Sequence, residues 1–285
     1  MAGTADTATE VPGMRRPPPP ARRWTGRRVA GWILMSLWIL AGLGAAWVLW
    51  SGFDGEVFGR YFPRMLAGLW ITVKLVVIPI ALGAVLGLLL AWARLSGNRF
   101  ADAAAFAYMY FFRGTPMLAQ VFLVYYGSGQ LRPLLEDWGL WWFFREAWYC
   151  VLLAFTLNTA AYQAEIYRVA IAAVPRGQWE GAQALGLSRR VTFLKVILPQ
   201  AMITALRPLG NEIILMIKGS AIASVVTIFD LMGATRLAFS RTFSFDVYLW
   251  AAMLYLAIVE TMRRLWERME ARLTRHLRRE GEEGP

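Results

Sequence analysis

The sequence predicts an all-α membrane protein with six transmembrane helices. Three observations lead there. The chain of 285 residues is 58% hydrophobic with 14 Trp, above the roughly 45–50% apolar content of soluble chains. Its mean hydropathy is +0.43. Much of its net charge of +11 flanks apolar runs, which is the pattern of a membrane protein and not of a nucleic-acid binder. The single Cys150 excludes an intrachain disulfide or zinc cluster, and the single His276 excludes a histidine-based metal site or triad.

Residues 1–28 hold six arginines around Pro17 to Pro20. They offer too little apolar surface to fold alone and are expected to form a disordered basic tail. Residues 29–50 carry no charge. As a helix they would be about 33 Å long, at roughly 1.5 Å per residue, enough to span a bilayer. A cleaved signal peptide is the rival reading. The long preceding tail, the long apolar run and the lack of a small-x-small cleavage site favour a retained helix.

Five further spans are expected near Met65–Ala93, Ala103–Tyr126, Ala147–Ala172, Ala205–Phe229 and Phe245–Met262. The last three are the more polar, so they should face protein or a water-filled path. Asp102 is expected to cap the helix that starts at Ala103. Gly83 and Gly87 suit close helix contact. With the N-terminal tail inside, the inner segments hold 19 Lys plus Arg against 6 in the outer ones. That asymmetry puts both termini, including the charged tail 263–285, in the cytoplasm. The outer segment around Trp138, Trp141 and Trp142 fits an aromatic belt or a short interfacial helix, and 230–244 reads as an outer loop.

Between the fourth and fifth spans lies EGAQALGLSRRVTFLKVILPQ, residues 180–200. QWEGAQAL suits a short helix, Gly186 permits a sharp turn, and Ser188 can cap a second helix that Pro199 ends or bends. Two short helices at an angle would then lie across the inner mouth of the bundle. They serve either as a docking element for a soluble partner or as an interfacial helix on lipid headgroups.

Glu180, Gly181, Ala182 and Gly186, followed by Val196, Leu198 and Pro199, resemble the EAA loop of ATP-binding-cassette importer permeases. Gly181 stands where Ala is usual and Val196 where Ile is common. The segments 111–127 (FFRGTPMLAQVFLVYYG), 158–178 (NTAAYQAEIYRVAIAAVPRGQ) and 209–233 (LGNEIILMIKGSAIASVVTIFDLMG) also resemble the polar-amino-acid permeases, within them the histidine/lysine/arginine/ornithine branch. The resemblance covers roughly residues 58–280. It implies a five-helix type I permease core over 58–262, with its coupling loop at 178–200, plus an extra N-terminal helix. It implies as partners a cytosolic ATPase dimer that carries ATP and Mg, a second permease subunit and an extracytoplasmic amino-acid-binding protein, in a bacterial inner membrane. No phosphate-binding GxxxxGK[ST] occurs in this chain, so it is expected to hydrolyse nothing and to bind no cofactor. Glu180, Gly181, Ala182, Gly186, Leu198 and Pro199 are the expected ATPase-coupling residues.

A charge at the bilayer centre costs roughly 2.5–3.5 kcal/mol on insertion scales, so charged residues inside spans are functional candidates. Arg113 precedes Gly114, Thr115 and Pro116, which should break the helix, and it suits either a substrate carboxylate or a structural ion pair. Glu165 either pairs with Arg168 one turn away or faces the path and receives a cationic group. Asn158, Thr159 and Tyr162 lie on nearby turns. Glu212, with Asn211, is a second candidate for a cationic amino acid, and Glu212 and Lys218 should not pair.

Two acidic candidates within spans point to arginine, lysine, histidine or ornithine as substrate. The same motifs serve glutamine, glutamate or cystine. An ion-coupled secondary transporter would use the same carboxylates but has no use for the EAA-like loop. An intramembrane enzyme lacks its nucleophile, base or metal ligands.

Overall fold

The computed structural model describes residues 25–51 and 53–275, and among these every regular element is helical. The basic Pro-rich segment and His276 lie outside the described residues, apart from the last few residues of 1–28. The chain divides into two units after residue 52. The first is a single helix, α1 (Gly26–Ser51), whose apolar side chains point outward all round.

The second unit begins with α2 (Gly55–Leu95), capped by Asp54, whose Oδ1 accepts from the backbone N–H of Glu56 at 2.8 Å and of Val57 at 3.1 Å. A three-residue turn leads to α3 (Arg99–Gly114), and so short a connection folds the two helices back on each other. Asn98 caps α3, with its Oδ1 accepting from Phe100 N at 2.9 Å. Asp102 therefore does not cap. It sits one turn inside α3 and pairs with Arg94 at the end of α2, because the side chain just before the helix reaches the free N–H groups first.

α4 (Met117–Gln130) continues the predicted second span after a break at Thr115 and Pro116, where the backbone is extended. Two short helices follow, α5 (Arg132–Asp137) and α6 (Trp141–Phe144). α7 (Ala147–Ala172) runs through the middle of the unit and has the expected limits. It packs closely on α2 through small residues on both sides. A Cβ at Gly83 would lie 2.6 Å from Thr159 Cγ2, and one at Gly87 would lie 3.1 Å from Ala160 O. Close backbone approach between small residues is the common device of helix packing in lipid.

α8 (Arg176–Ala184) leads into α9 (Arg189–Val191), a π-helical turn over Thr192–Ile197, and α10 (Leu198–Gly219). The expected second short helix is thus not separate: the chain is helical without interruption from Arg189 to Gly219. Pro199 does not end it. A proline inside an α-helix loses its i−4 hydrogen bond and clashes with that carbonyl. The wider π turn before it, in which Leu198 N bonds Phe193 O, accommodates the ring.

A 3₁₀ segment, Ser220–Val226, follows. The stretch expected as an outer loop then folds into α11 (Leu231–Thr242). Asp230 caps α11 through Gly233 N at 2.9 Å. Leu231 N donates to Thr72 Oγ1 at 3.1 Å. Gly68 leaves room for this contact, since a Cβ there would lie 2.6 Å from Asp230 O. The last helix, α12 (Asp246–Leu273), extends beyond the predicted span into the charged tail. Near its inner end Glu260 pairs with Arg263 and Arg264.

The main core gathers Leu75, Val121, Phe155, Ile217 and Val226 from α2, α4, α7, α10 and the 3₁₀ segment. Three helical stretches are long and apolar enough to cross a bilayer: Gly26–Val48, Gly55–Leu95 and Arg189–Val226.

Candidate functional site

The break in the second span creates the site. Pro116 has no N–H, so the carbonyl of Phe112 loses its helical donor. In a membrane interior a bare carbonyl costs several kcal/mol. Two buried amides replace the lost donor: Gln120 Nε2 donates to Phe112 O at 2.9 Å and Asn158 Nδ2 at 3.1 Å. Gln120 Nε2 also reaches Thr115 Oγ1 at 2.7 Å, and its Oε1 accepts from Asn158 at 2.9 Å. The break is therefore held open by specific side chains.

Two neighbouring cavities meet at this break, and Thr115 and Tyr162 line both. The larger, about 640 Å³, is bordered also by Arg94, Arg113, Glu165 and Arg168. The smaller, about 290 Å³, is bordered also by Pro116, Asn158 and Glu212. Gly114 lies on the wall of the larger one. Eight of the ten residues expected along a substrate path thus border this cavity pair. Thr159 stands just behind it, buried, donating to Glu212 Oε1 at 2.9 Å. Asn211 does not join them. It is exposed and borders a separate groove with Arg207 and Trp266, because one residue along a helix turns the side chain by about 100°.

The charges in the pair are unequally committed. Arg168 holds Glu165 through both carboxylate oxygens, at 2.6 and 3.0 Å. Of the two sequence readings for Glu165, the ion pair is the one found. Arg113 lies 3.8 Å from Glu165 and 5.6 Å above the Tyr162 ring, and among the described residues it donates no hydrogen bond. Glu212 is 7% exposed, and its second oxygen accepts no hydrogen bond from the described residues. Behind it a chain of contacts runs along α7: Gln163 Nε2 donates to Thr159 Oγ1 at 3.2 Å, and Tyr167 Oη donates to Gln163 Oε1 at 3.0 Å.

The second candidate region is the turn between α8 and α9. Gly186 has φ +71°, the left-handed conformation that glycine adopts without penalty. Gly186 N bonds Gln183 O at 2.9 Å and Leu187 N bonds Ala182 O at 3.1 Å, the paired bonds of a Schellman helix end. Ser188 Oγ accepts from Val191 N at 3.4 Å, as expected of a cap. Ala182 is buried, while Glu180, Gly181 and Gly186 are exposed. Leu185 is 79% exposed and Leu194 59%. Leu198 is half-buried and Pro199 exposed. Trp179, Val174, Ile197 and Ala201 anchor the segment from behind.

Residues 83–275 match the family described as binding-protein-dependent transport system inner membrane component. The chain belongs to that family. The permease is 41% identical over 226 residues to the nopaline transport system permease protein NocM of Agrobacterium fabrum, covering 79% of this chain and 94% of the relative. It is 39% identical to the octopine transport system permease protein OccM of Rhizobium meliloti, with 76% and 89% covered. It is 36% identical to the arginine ABC transporter permease protein ArtM of Haemophilus influenzae, with 76% and 95% covered. Among solved structures, an amino acid ABC transporter crystallised with histidines superposes with a TM-score of 0.68 at 33% identity, covering 77% of this permease and 99% of that chain. The methionine transporter MetNI shares the fold, with a TM-score of 0.57 at 17% identity, over 78% and 100% of the two chains.

The sequence reading missed Gln120, Gln163 and Arg94 in this permease. The signal for Gln120 was present: an amide four residues after a helix-breaking proline, inside an apolar span. Arg94 reads as an ordinary flanking charge until α3 folds back and brings it to the cavity.

Proposed function

We propose that this permease is the membrane subunit of an ATP-driven importer for polar amino acids with cationic side chains, in the class of arginine, lysine, histidine and ornithine. The observation that carries the reading is one continuous helical path. The stretch from Arg189 to Gly219 begins at the exposed Gly186 turn and reaches Glu212 in the cavity pair. A displacement of the turn is thereby transmitted to the substrate path with no flexible joint between. The relatives named for nopaline, octopine and arginine support a basic amino acid or its derivative as cargo.

In this reading the chain crosses a bacterial inner membrane six times, with both termini in the cytoplasm. Residues 29–50 form an extra span, 58–262 form the permease domain with its coupling loop at 178–200, and 1–28 and 263–285 are cytoplasmic segments. A second permease subunit completes the path and an extracytoplasmic binding protein delivers the amino acid. ATP and Mg act on a partner ATPase dimer. Glu180, Gly181, Ala182, Gly186, Leu198 and Pro199 form the coupling region, and the exposed Leu185 and Leu194 beside them supply apolar area for a protein partner. ATP binding closes the ATPases, draws the coupling turns together and rocks the membrane halves. At the cavity pair, Glu212 receives the cationic side chain and Arg113 the α-carboxylate, with Gly114, Thr115, Pro116, Asn158, Thr159, Tyr162 and Glu165 shaping the surroundings. Asn211 is left out of this role by its position.

The test is amino-acid-stimulated ATP hydrolysis in proteoliposomes that hold the permease with its ATPase, binding protein and any sister permease. Arginine, lysine, histidine and ornithine should stimulate. Stimulation by glutamine or glutamate alone would keep the importer and remove the cationic cargo. Uptake driven by a sodium or proton gradient, with no ATPase association, would overturn the reading.

A further inference from the structure

The charge in the larger cavity is opposite to what a purely cationic cargo needs. Three guanidiniums border it, those of Arg94, Arg113 and Arg168, against the single carboxylate of Glu165. Arginine stays protonated in proteins, so these are fixed charges. Arg168 is consumed by Glu165. Arg113 and Arg94 are not equally consumed. Arg113 makes no hydrogen bond among the described residues, and its nearest carboxylate oxygen is 3.8 Å away and already taken. Arg94 gives Nη1 to Asp102, while its Nε is buried with no acceptor. A buried donor left without a partner costs about 1–3 kcal/mol, so an acceptor brought into the cavity would find both arginines short of one.

The smaller cavity has the other sign. Its one charged wall residue is Glu212. The two cavities adjoin at Thr115 and Tyr162, so a bound molecule meets a carboxylate at one end and two under-committed guanidiniums at the other. A free basic amino acid has one carboxylate to offer, which Arg113 satisfies. Arg94 remains.

We infer that the cavity pair is built for a basic amino acid carrying a second carboxylate, with its cationic group at Glu212 and its two carboxylates at Arg113 and Arg94. N-carboxyalkylated arginine is the chemical class. The combined space, about 640 and 290 Å³, is in the range of sites that enclose ligands of that size. Bidentate guanidinium–carboxylate pairing supplies the geometric selectivity. Arg94 is then the residue that separates such cargo from arginine itself.

This inference rests on reading the cavity pair as the substrate path, and the experiment keeps the two apart. Binding is measured by equilibrium dialysis on the permease–ATPase complex without binding protein, so that only the membrane site selects. The ligands are arginine, glutamate and N-(1-carboxyethyl)arginine. The expected result is that carboxyethyl-arginine binds at least tenfold more tightly than arginine or glutamate, and that Arg94→Gln reduces its advantage over arginine to about twofold. Arginine binding as tightly as its carboxyethyl derivative would overturn the inference and leave the proposed function standing. Tightest binding of glutamate, or no binding of any ligand, would overturn both. The ligand series on the unaltered complex decides the matter even if the Arg94 variant fails to assemble.

Discussion

The cavity pair and the Gly186 turn sit on the same helical stretch and are built in opposite ways. In the cavity pair the polar groups are largely tied to one another: Gln120 to Asn158 and the Phe112 carbonyl, Thr159 to Glu212, Arg168 to Glu165. At the turn the backbone satisfies itself through the Gly186 and Leu187 bonds, while the side chains around it, Leu185 and Glu180, are exposed. One region has been closed against a solvent that cannot hydrogen-bond. The other has kept a rigid backbone and left its surface free. Rigidity is common to both, and only the direction in which the side chains are satisfied differs.

The largest expected effect breaks the turn and spares the cavity. Gly186→Pro cannot adopt φ +71°, since the ring fixes φ near −65°. Substrate-stimulated ATP hydrolysis should fall to the basal rate while ligand binding to the complex persists. Gly186→Asn, which tolerates the left-handed conformation, should retain most of the stimulation. Loss of ligand binding in the proline variant would show that the two regions are not separable.

Glu212→Ala reverses the test. Uptake of a cationic amino acid should fall at least tenfold, a difference of about 1.4 kcal/mol, with ATPase association unchanged in a pull-down. Gln120→Leu comes next, because it strips the Phe112 and Thr115 carbonyls of their donor. A stability loss of about 1–3 kcal/mol is expected, read as a lower Tm of the detergent-solubilised subunit. The smallest effect is at Gly181→Ala. A Cβ there meets nothing within 4 Å, and an exposed helical Gly→Ala change favours the helix by roughly 0.5–1 kcal/mol. Transport should stay within about twofold of the parent, and a larger drop would mean that a partner surface lies close against this position.

Much of both regions could be read from the order of residues. The RGTP break, the Gly186 turn, the Ser188 cap and the Gly83/Gly87 contact all follow from local chemistry that proline, glycine and serine impose wherever they occur. What escaped depended on distant partners. α11 forms because Asp230 caps it and Thr72 and Gly68 receive its first turn, and those residues lie some 160 positions earlier in the chain. Asp102 was misassigned because Asn98 competes for the same N–H groups. Pro199 was taken as a stop, since a sequence pattern does not show that the preceding turn widens. Asn211 and Glu212 were grouped as neighbours in sequence, although adjacent residues on a helix look in different directions.

The π turn at Thr192–Ile197 has a consequence for chain length. A π turn holds one residue more than the α-helical turn it replaces, so it acts as a spare link between the docking surface and the membrane charge. Removing one residue inside it would return the turn to ordinary α pitch and leave everything downstream facing as before. Removing one residue between Gln200 and Asn211 has no such slack to draw on: it would swing Glu212 by about 100° about the helix axis and carry it away from Thr159. Lineages of this chain can therefore drift in length within those six positions, while the count from Gln200 to Glu212 is arithmetic that the fold enforces.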